Sequence, residues 1–218
     1  MNHKLRIGAL ASGGGSNVQA VLDQIESDKL DARLVTIISD NPRAGVLSRA
    51  ERHGVLHQVI SPQSYQNRED HDRAIIEALN SQDVELVILA GYMRIISPAF
   101  VAAFPGRIMN IHPALLPSFP GIHVQQTAAE HGVRFSGCTV HFVDEGMDTG
   151  PVIIQAVVPV LPDDTGDTLG ARILRLEHRI YPEAIRLFAE GRLAIEGRHV
   201  RIQGHTVNAD QYMVNPEI

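Results

Sequence analysis

The period of the apolar positions changes repeatedly along this chain. Leu5 to Ala11, Leu34 to Ile38, Leu56 to Ile60 and Leu86 to Ala90 are short apolar runs of the kind that fill buried strands. Between them the spacing becomes helical: Val18, Leu22 and Ile25, then Val46, Ala50 and His53 with Gly54 as a stop. A third helix is predicted over Arg68 to Asn80, with Ala74, Ile75, Ala78 and Leu79 turned inward. Strands alternating with helices imply parallel pairing through right-handed crossovers, and continuous apolar strands imply a sheet covered on both faces.

The second half changes character. Arg107 to His112 reads as a strand and His123 to His131 as a helix. Ser136 to Val143 and Val152 to Val160 are two β runs with no full helix between them, which predicts a mixed, partly antiparallel extension of the sheet. A long helix follows over Thr168 to Glu190, with Leu169, Ile173, Leu176 and Ile180 on one stripe. Asp167 is the expected N-cap, Gly191 the stop, and Pro182 is expected to bend or break the helix near Tyr181. Val200 to Ile202 makes a last short strand, and polarity rises from Gln203 onward, where the end is expected to fray. The expected fold is α/β and Rossmann-like: a mostly parallel sheet with helices on both faces and a mixed C-terminal extension. The division expected is one domain over 1–202, its N-terminal half serving phosphate and its C-terminal half catalysis, with a tail over 203–218.

Composition narrows the function. At 218 residues the chain suits one domain, two at most. No apolar run approaches the roughly 20 residues a bilayer span requires, and the start lacks a signal-peptide layout. Cys138 is the only cysteine, so neither an intrachain disulfide nor a cysteine zinc cluster forms, and a reducing cytoplasm is the expected location. A formal charge of -6 argues against nucleic acid as a partner. The 11 histidines show no paired metal-ligand spacing, so no metal is expected.

Asn110-Ile111-His112-Pro113 carries the strongest chemical signal. Side chains at i and i+2 of a strand share a face, so the amide and the imidazole project side by side, and Pro113 ends the ladder beyond them. An amide N–H can stabilise a developing oxyanion, and an imidazole moves protons near neutral pH. Asp144 to Gly150 places carboxylates on a loop downstream, and Asp148 is the best partner for His112. Ser12 to Asn17 is a triple-glycine turn from the first strand into the first helix. It suits a phosphate group at a helix N-terminus but is neither GxxxxGK[ST] nor GxGxxG, so a phosphate monoester fits better than a nucleoside triphosphate or a dinucleotide. Gly91 to Pro98 leaves the fourth strand at its carboxyl end, where open α/β sheets bind ligands, and Arg94 is placed to pair with a ligand carboxylate.

Together these motifs resemble the phosphoribosylglycinamide formyltransferase family of purine biosynthesis. The resemblance rests on SGGGSN at 12–17, LAGYMRIISP at 89–98, NIHPALLPSFPG at 110–121, HFVDEGMDTGPVI at 141–153 and EHRIYPEAI at 177–185. It implies Asn110, His112 and Asp148 as the catalytic trio, and Gly15, Ser16 and Asn17 as the cradle for a ribose 5-phosphate. It further implies Glu177 as a carboxylate meeting the ribonucleotide. Met93, Arg94, Ile95 and Ile96 with Val143, Asp144 and Asp148 form the implied folate cleft, Asn110 also facing the folate and Arg68 helping to hold it. Two positions depart from the pattern: Leu174, where some members carry a polar residue toward the ribonucleotide, and Gly14, where a polar residue is common. The implied co-substrate is 10-formyltetrahydrofolate and the implied partners are small molecules, with neither nucleic acid nor membrane involved; a homodimer stays open. The rivals are a formyltetrahydrofolate deformylase, expected to carry an added N-terminal domain, and a tRNA formyltransferase, expected to carry a C-terminal RNA-binding domain. A non-catalytic nucleotide or folate sensor, the third, would need no Asn-x-His beside a carboxylate.

Overall fold

The computed structural model describes residues 3–204, together with 213 and 215. Nine strands form one sheet in the order β3-β2-β1-β4-β5-β6-β7-β9-β8. The parallel half comprises β1 (Leu5–Leu10), β2 (Ala32–Ser39), β3 (Leu56–Val59), β4 (Leu86–Leu89) and β5 (Ile108–His112). The chain crosses over through α1 (Ser16–Glu26), α2 (Gly45–Arg52), α3 (Arg68–Asn80) and the short α4 (Pro98–Ala103). After α5 (Val124–Glu130), β6 (Phe135–Phe142) runs antiparallel to β5, and β7 (Val152–Pro159) antiparallel to β6. The long α6 (Gly166–Ala189) leads to a closing hairpin, β8 (Leu193–Glu196) and β9 (His199–Ile202). The sheet is thus mostly parallel with an antiparallel extension, as its alternating pattern predicts.

Strand alternation sorts the core into two layers. Ile7, Ala9, Leu86, Ile88, Met109 and Ile111 face one side, under α1, α2, α5 and α6. Leu10, Ile38, Val87, Leu89 and Ile108 face the other, under Ile75 and Leu79 of α3 and Phe100 of α4. Asn110 and His112 share parity with Ile108, so they lie on the α3/α4 face. There the segment 113–121 bonds to His112 and Thr139, and Asp148 of the segment 143–150 bonds to it in turn at Gly121. Tyr181 ties the layers together from α6: its buried hydroxyl lies 2.9 Å from Leu89 O and 3.0 Å from Met109 O.

Three local expectations are corrected, and one strand was not foreseen. Thr165, not Asp167, caps α6: its side chain accepts from Thr168 N–H while the Thr168 hydroxyl accepts from Thr165 N–H, a reciprocal box that leaves Asp167 in the first turn. Pro182 does not break α6, which runs unbroken past it. Buried Tyr181, Ala184 and Ile185 pin the chain on both sides of the proline, and that packing outweighs a lost backbone hydrogen bond. His123 precedes α5 with φ 57 rather than belonging to it. Strand β8 went unpredicted, since its four residues are half-buried or exposed and too few to display a period. The tail expected from Gln203 falls largely outside the described residues. Among those residues no helix is long and apolar enough to cross a membrane.

Candidate active site

Order reverses around β1, whose neighbours β2 and β4 take the chain in opposite directions across the sheet. Such a switch point opens a crevice at the carboxyl ends of the strands. Here the loops after β1 and β4 are laced together: Ser12 N–H donates to Gly91 O at 3.0 Å, and Met93 N–H to Ser12 Oγ at 2.9 Å. Gly15 ends the first loop with φ 70 as the N-cap of α1. A Cβ there would fall 2.5 Å from Val46 Cγ2, so this glycine is demanded by backbone conformation and by the close approach of α2. Gly13 and Gly14 stand open, with nothing within 4 Å of an added Cβ.

Ser16 and Asn17 begin α1, and Asn17 turns back toward α6. Its Nδ2–H donates to Glu177 Oε2 at 2.7 Å. Burial pushes the Glu177 carboxyl above its ordinary value, opposed by this hydrogen bond. Among the described residues the buried Asn17 Oδ1 has no hydrogen-bond partner. The glycine turn and the expected carboxylate therefore meet, although 160 residues separate them.

Antiparallel pairing of β5 and β6 builds the second half of the site. Asn110 stands opposite His141, and His112 opposite Thr139. His141 is the residue that sequence reasoning missed. Its signal was the polar pair Thr139 and His141 at alternate positions of an apolar strand, meaningful only once β6 is set against β5. His141 Nδ1 lies 2.8 Å from Phe142 O, so it carries the proton, and Nε2 is left to accept from Asn110 Nδ2–H at 3.2 Å. Burial holds His141 below its usual range, in keeping with a neutral ring.

His112 is 4% exposed. Its Nε2 lies 2.8 Å from Phe119 O and its Nδ1 3.5 Å from Asp148 Oδ2. Both nitrogens thus face oxygens. The Nδ1 separation is too long for a good hydrogen bond, which leaves that edge available to a substrate. Asp148 has φ 55, and its Oδ2 accepts from Gly121 N–H at 2.9 Å. Its Oδ1 lies 3.8 Å from His141 Nε2, so the carboxylate sits between two imidazoles. Asp144 holds the loop's shape: Oδ1 accepts from Gly146 N–H at 3.1 Å and from the Thr149 hydroxyl at 2.6 Å.

The expected folate residues divide. Met93 and Ile95 are 70% and 56% exposed at the mouth, with Arg94 exposed between them. Ile96 instead packs into the α3/α4 core, so its side chain serves the fold. Val143 packs against that core and donates its N–H to Ile108 O at 2.9 Å. Arg68 opens α3 and pairs with its neighbour Glu69 at 3.3 Å. Cys138 is fully buried, and burial together with the Glu177 charge pushes its thiol up to about 12. A thiolate nucleophile is thereby disfavoured. Among the described residues no group of three or more His, Cys, Asp or Glu is placed to hold a metal.

The glycine turn at the switch point and the amide–imidazole–carboxylate cluster at the end of β5 sit on an α/β enzyme scaffold of the kind that carries group transfer. The chain belongs to the formyl transferase family, whose model matches residues 5–185. It is 39% identical over 208 residues to phosphoribosylglycinamide formyltransferase of Escherichia coli (strain K12), covering 95% of this chain and 98% of that protein. It is 45% identical to trifunctional purine biosynthetic protein adenosine-3 of Drosophila melanogaster, with 85% of this chain covered but only 14% of that larger protein's length. The crystal structure of glycinamide ribonucleotide transformylase 1 from Symbiobacterium toebii is similar at a TM-score of 0.91 and 54% identity, over 93% of this chain and 95% of that one.

Proposed function

We propose that this protein transfers the formyl group of 10-formyltetrahydrofolate to the primary amine of glycinamide ribonucleotide, in the cytoplasm, as a step of purine synthesis. The observation that carries the reading is a pair of half-sites at the carboxyl ends of parallel strands: the Gly15–Asn17 turn after β1, with Glu177, and Asn110 and His112 with Asp148 at the end of β5. The first suits a phosphorylated amine and the second suits acyl transfer.

In this reading the backbone amides of Gly15, Ser16 and Asn17 hold the ribose 5-phosphate, and Glu177 faces the ribose. Met93, Arg94, Ile95, Val143 and Asp144 line the folate side, the Ile96 backbone closes it, and Arg68 reaches it from α3. The substrate amine attacks the formyl carbon directly; a C–N bond forms and the carbonyl oxygen becomes an oxyanion. Asn110 directs its second amide hydrogen at that oxygen, because His141 occupies the first. His112 donates from its Nδ1 edge, with Phe119 O holding the ring through Nε2 and the Asp148 carboxylate beside Nδ1 favouring its charge. As the bond to the folate nitrogen breaks, the proton lost by the amine reaches that nitrogen through His112 or a bound water. No covalent enzyme intermediate is involved.

A deformylase needs the catalytic cluster but has no use for a phosphate cradle joined to a buried carboxylate, which disfavours hydrolysis to formate. The test is formyl transfer with both substrates. Formylated ribonucleotide formed in step with tetrahydrofolate release supports the proposal; formate release without transfer, or binding without turnover, overturns it.

A further inference from the structure

The three peptides of the glycine turn share an unusual constraint. Ser12 O accepts from Asn41 Nδ2 at 3.2 Å, Gly13 O from Val46 N–H at 3.1 Å, and Gly14 O from Arg49 Nε at 2.7 Å. Three consecutive carbonyls are thus drawn to donors of one segment, the β2–α2 connection and α2. In a planar trans peptide the N–H points opposite to the carbonyl of the preceding residue. The N–H groups of Gly13, Gly14 and Gly15 are therefore turned away from α2. Among the described residues none of the three has a hydrogen-bond acceptor, and Gly13 and Gly14 are exposed. Successive amides held this way form an anion-binding nest.

Arg49 is itself held. Its NH1 donates to Gln19 Oε1 at 2.9 Å, and Gln19 Nε2 lies 3.0 Å from His53 Nε2. His53 Nδ1 in turn lies 2.5 Å from Glu26 Oε1. The guanidinium is anchored at both ends, by α1 and by the loop, so its bond to Gly14 O is pre-organised rather than formed on binding.

We infer that Arg49 and Asn41 are positioning residues for the ribonucleotide's phosphate: they act through the carbonyls of Gly14 and Ser12 to orient the amides of the nest. The inference rests on the proposed phosphate site and names what shapes it.

The decisive experiment uses two probes. Inorganic phosphate is titrated into 15N-labelled protein while the amide shifts of Gly13, Gly14 and Gly15 are followed. The Michaelis constants for glycinamide ribonucleotide and for formyl-folate are measured in parallel, with binding of the dephosphorylated riboside as control. In the wild type, phosphate should move all three glycine amides. Arg49→Ala should weaken phosphate binding and raise the constant for the ribonucleotide by about tenfold. Turnover, the constant for formyl-folate and riboside binding should stay within about twofold of wild type. Asn41→Ala should act in the same direction though it removes no charge, and it keeps the test open if Arg49→Ala folds poorly. An effect confined to Arg49 would overturn the clamp in favour of a single charge. Equal weakening of ribonucleotide and riboside, or glycine amides indifferent to phosphate, would overturn it outright. Phosphate binding that follows the expected pattern in a protein that transfers no formyl group would refute the proposed activity and leave the clamp standing.

Discussion

Glu177→Gln separates what the buried carboxylate does for binding from what it costs the fold. Glu177 is 7% exposed, and the hydrogen bond from Asn17 is the one found for its carboxylate among the described residues. Burial therefore holds the folded carboxyl above its ordinary 4.5. The unfolded chain releases the proton first, so Glu177's contribution to stability is full below 4.5 and is lost as pH rises through the folded value. Glutamine keeps an oxygen for Asn17 Nδ2–H and adds an N–H donor beside Asn17, whose Oδ1 has no partner among the described residues. It cannot ionise. The variant should gain about 0.5–2 kcal/mol above neutral pH, as relief of a strained functional group commonly does. At about 2–4 °C per kcal/mol for a chain of this size, Tm should rise by about 1–8 °C. The gain should widen as pH rises from acid and then level off. Binding of the ribonucleotide should weaken by about tenfold or more, since a charge-assisted contact is lost. Thermal melts across pH 4–9 and calorimetry with the ribonucleotide measure both. A variant less stable than wild type at every pH, with a flat difference, would refute the argument that desolvation dominates at Glu177.

His112→Ala should lower turnover by on the order of 100-fold or more with little change in either substrate's binding, because its main contact forms in the transition state. Its combination with Asp148→Asn should cost much less than the two single losses added together, as the 3.5 Å pair acts as a unit; simple additivity in steady-state kinetics would separate the two roles. Arg94→Ala should raise the Michaelis constant for formyl-folate more than that for the ribonucleotide, and the reverse selectivity would move Arg94 to the other substrate. Cys138→Ala should keep most activity at a packing cost of about 1–2 kcal/mol, read from denaturant unfolding; a stable but inactive protein would reopen covalent catalysis.

Much of this molecule is legible one residue at a time. A buried parallel strand must be apolar throughout and a crossover helix must bury a stripe, so the alternation of β and α over the first half declares itself in the period alone. Asn110 and His112 can be placed on one face because strand geometry couples i to i+2, and the glycine turn because few residues tolerate φ 70 beside another helix. Contacts between distant segments obey no such local rule. His141 became a partner of Asn110 only when β6 paired antiparallel with β5, a register that leaves no trace in the composition of either strand. Asn17 found Glu177 because α1 and α6 cover the same face of the sheet. Pro182 passed through an unbroken helix because anchoring by Tyr181 outweighed a local preference. Propensity and period act over one or two turns of chain, whereas a site at a sheet's carboxyl edge is assembled by the packing that closes the whole sheet.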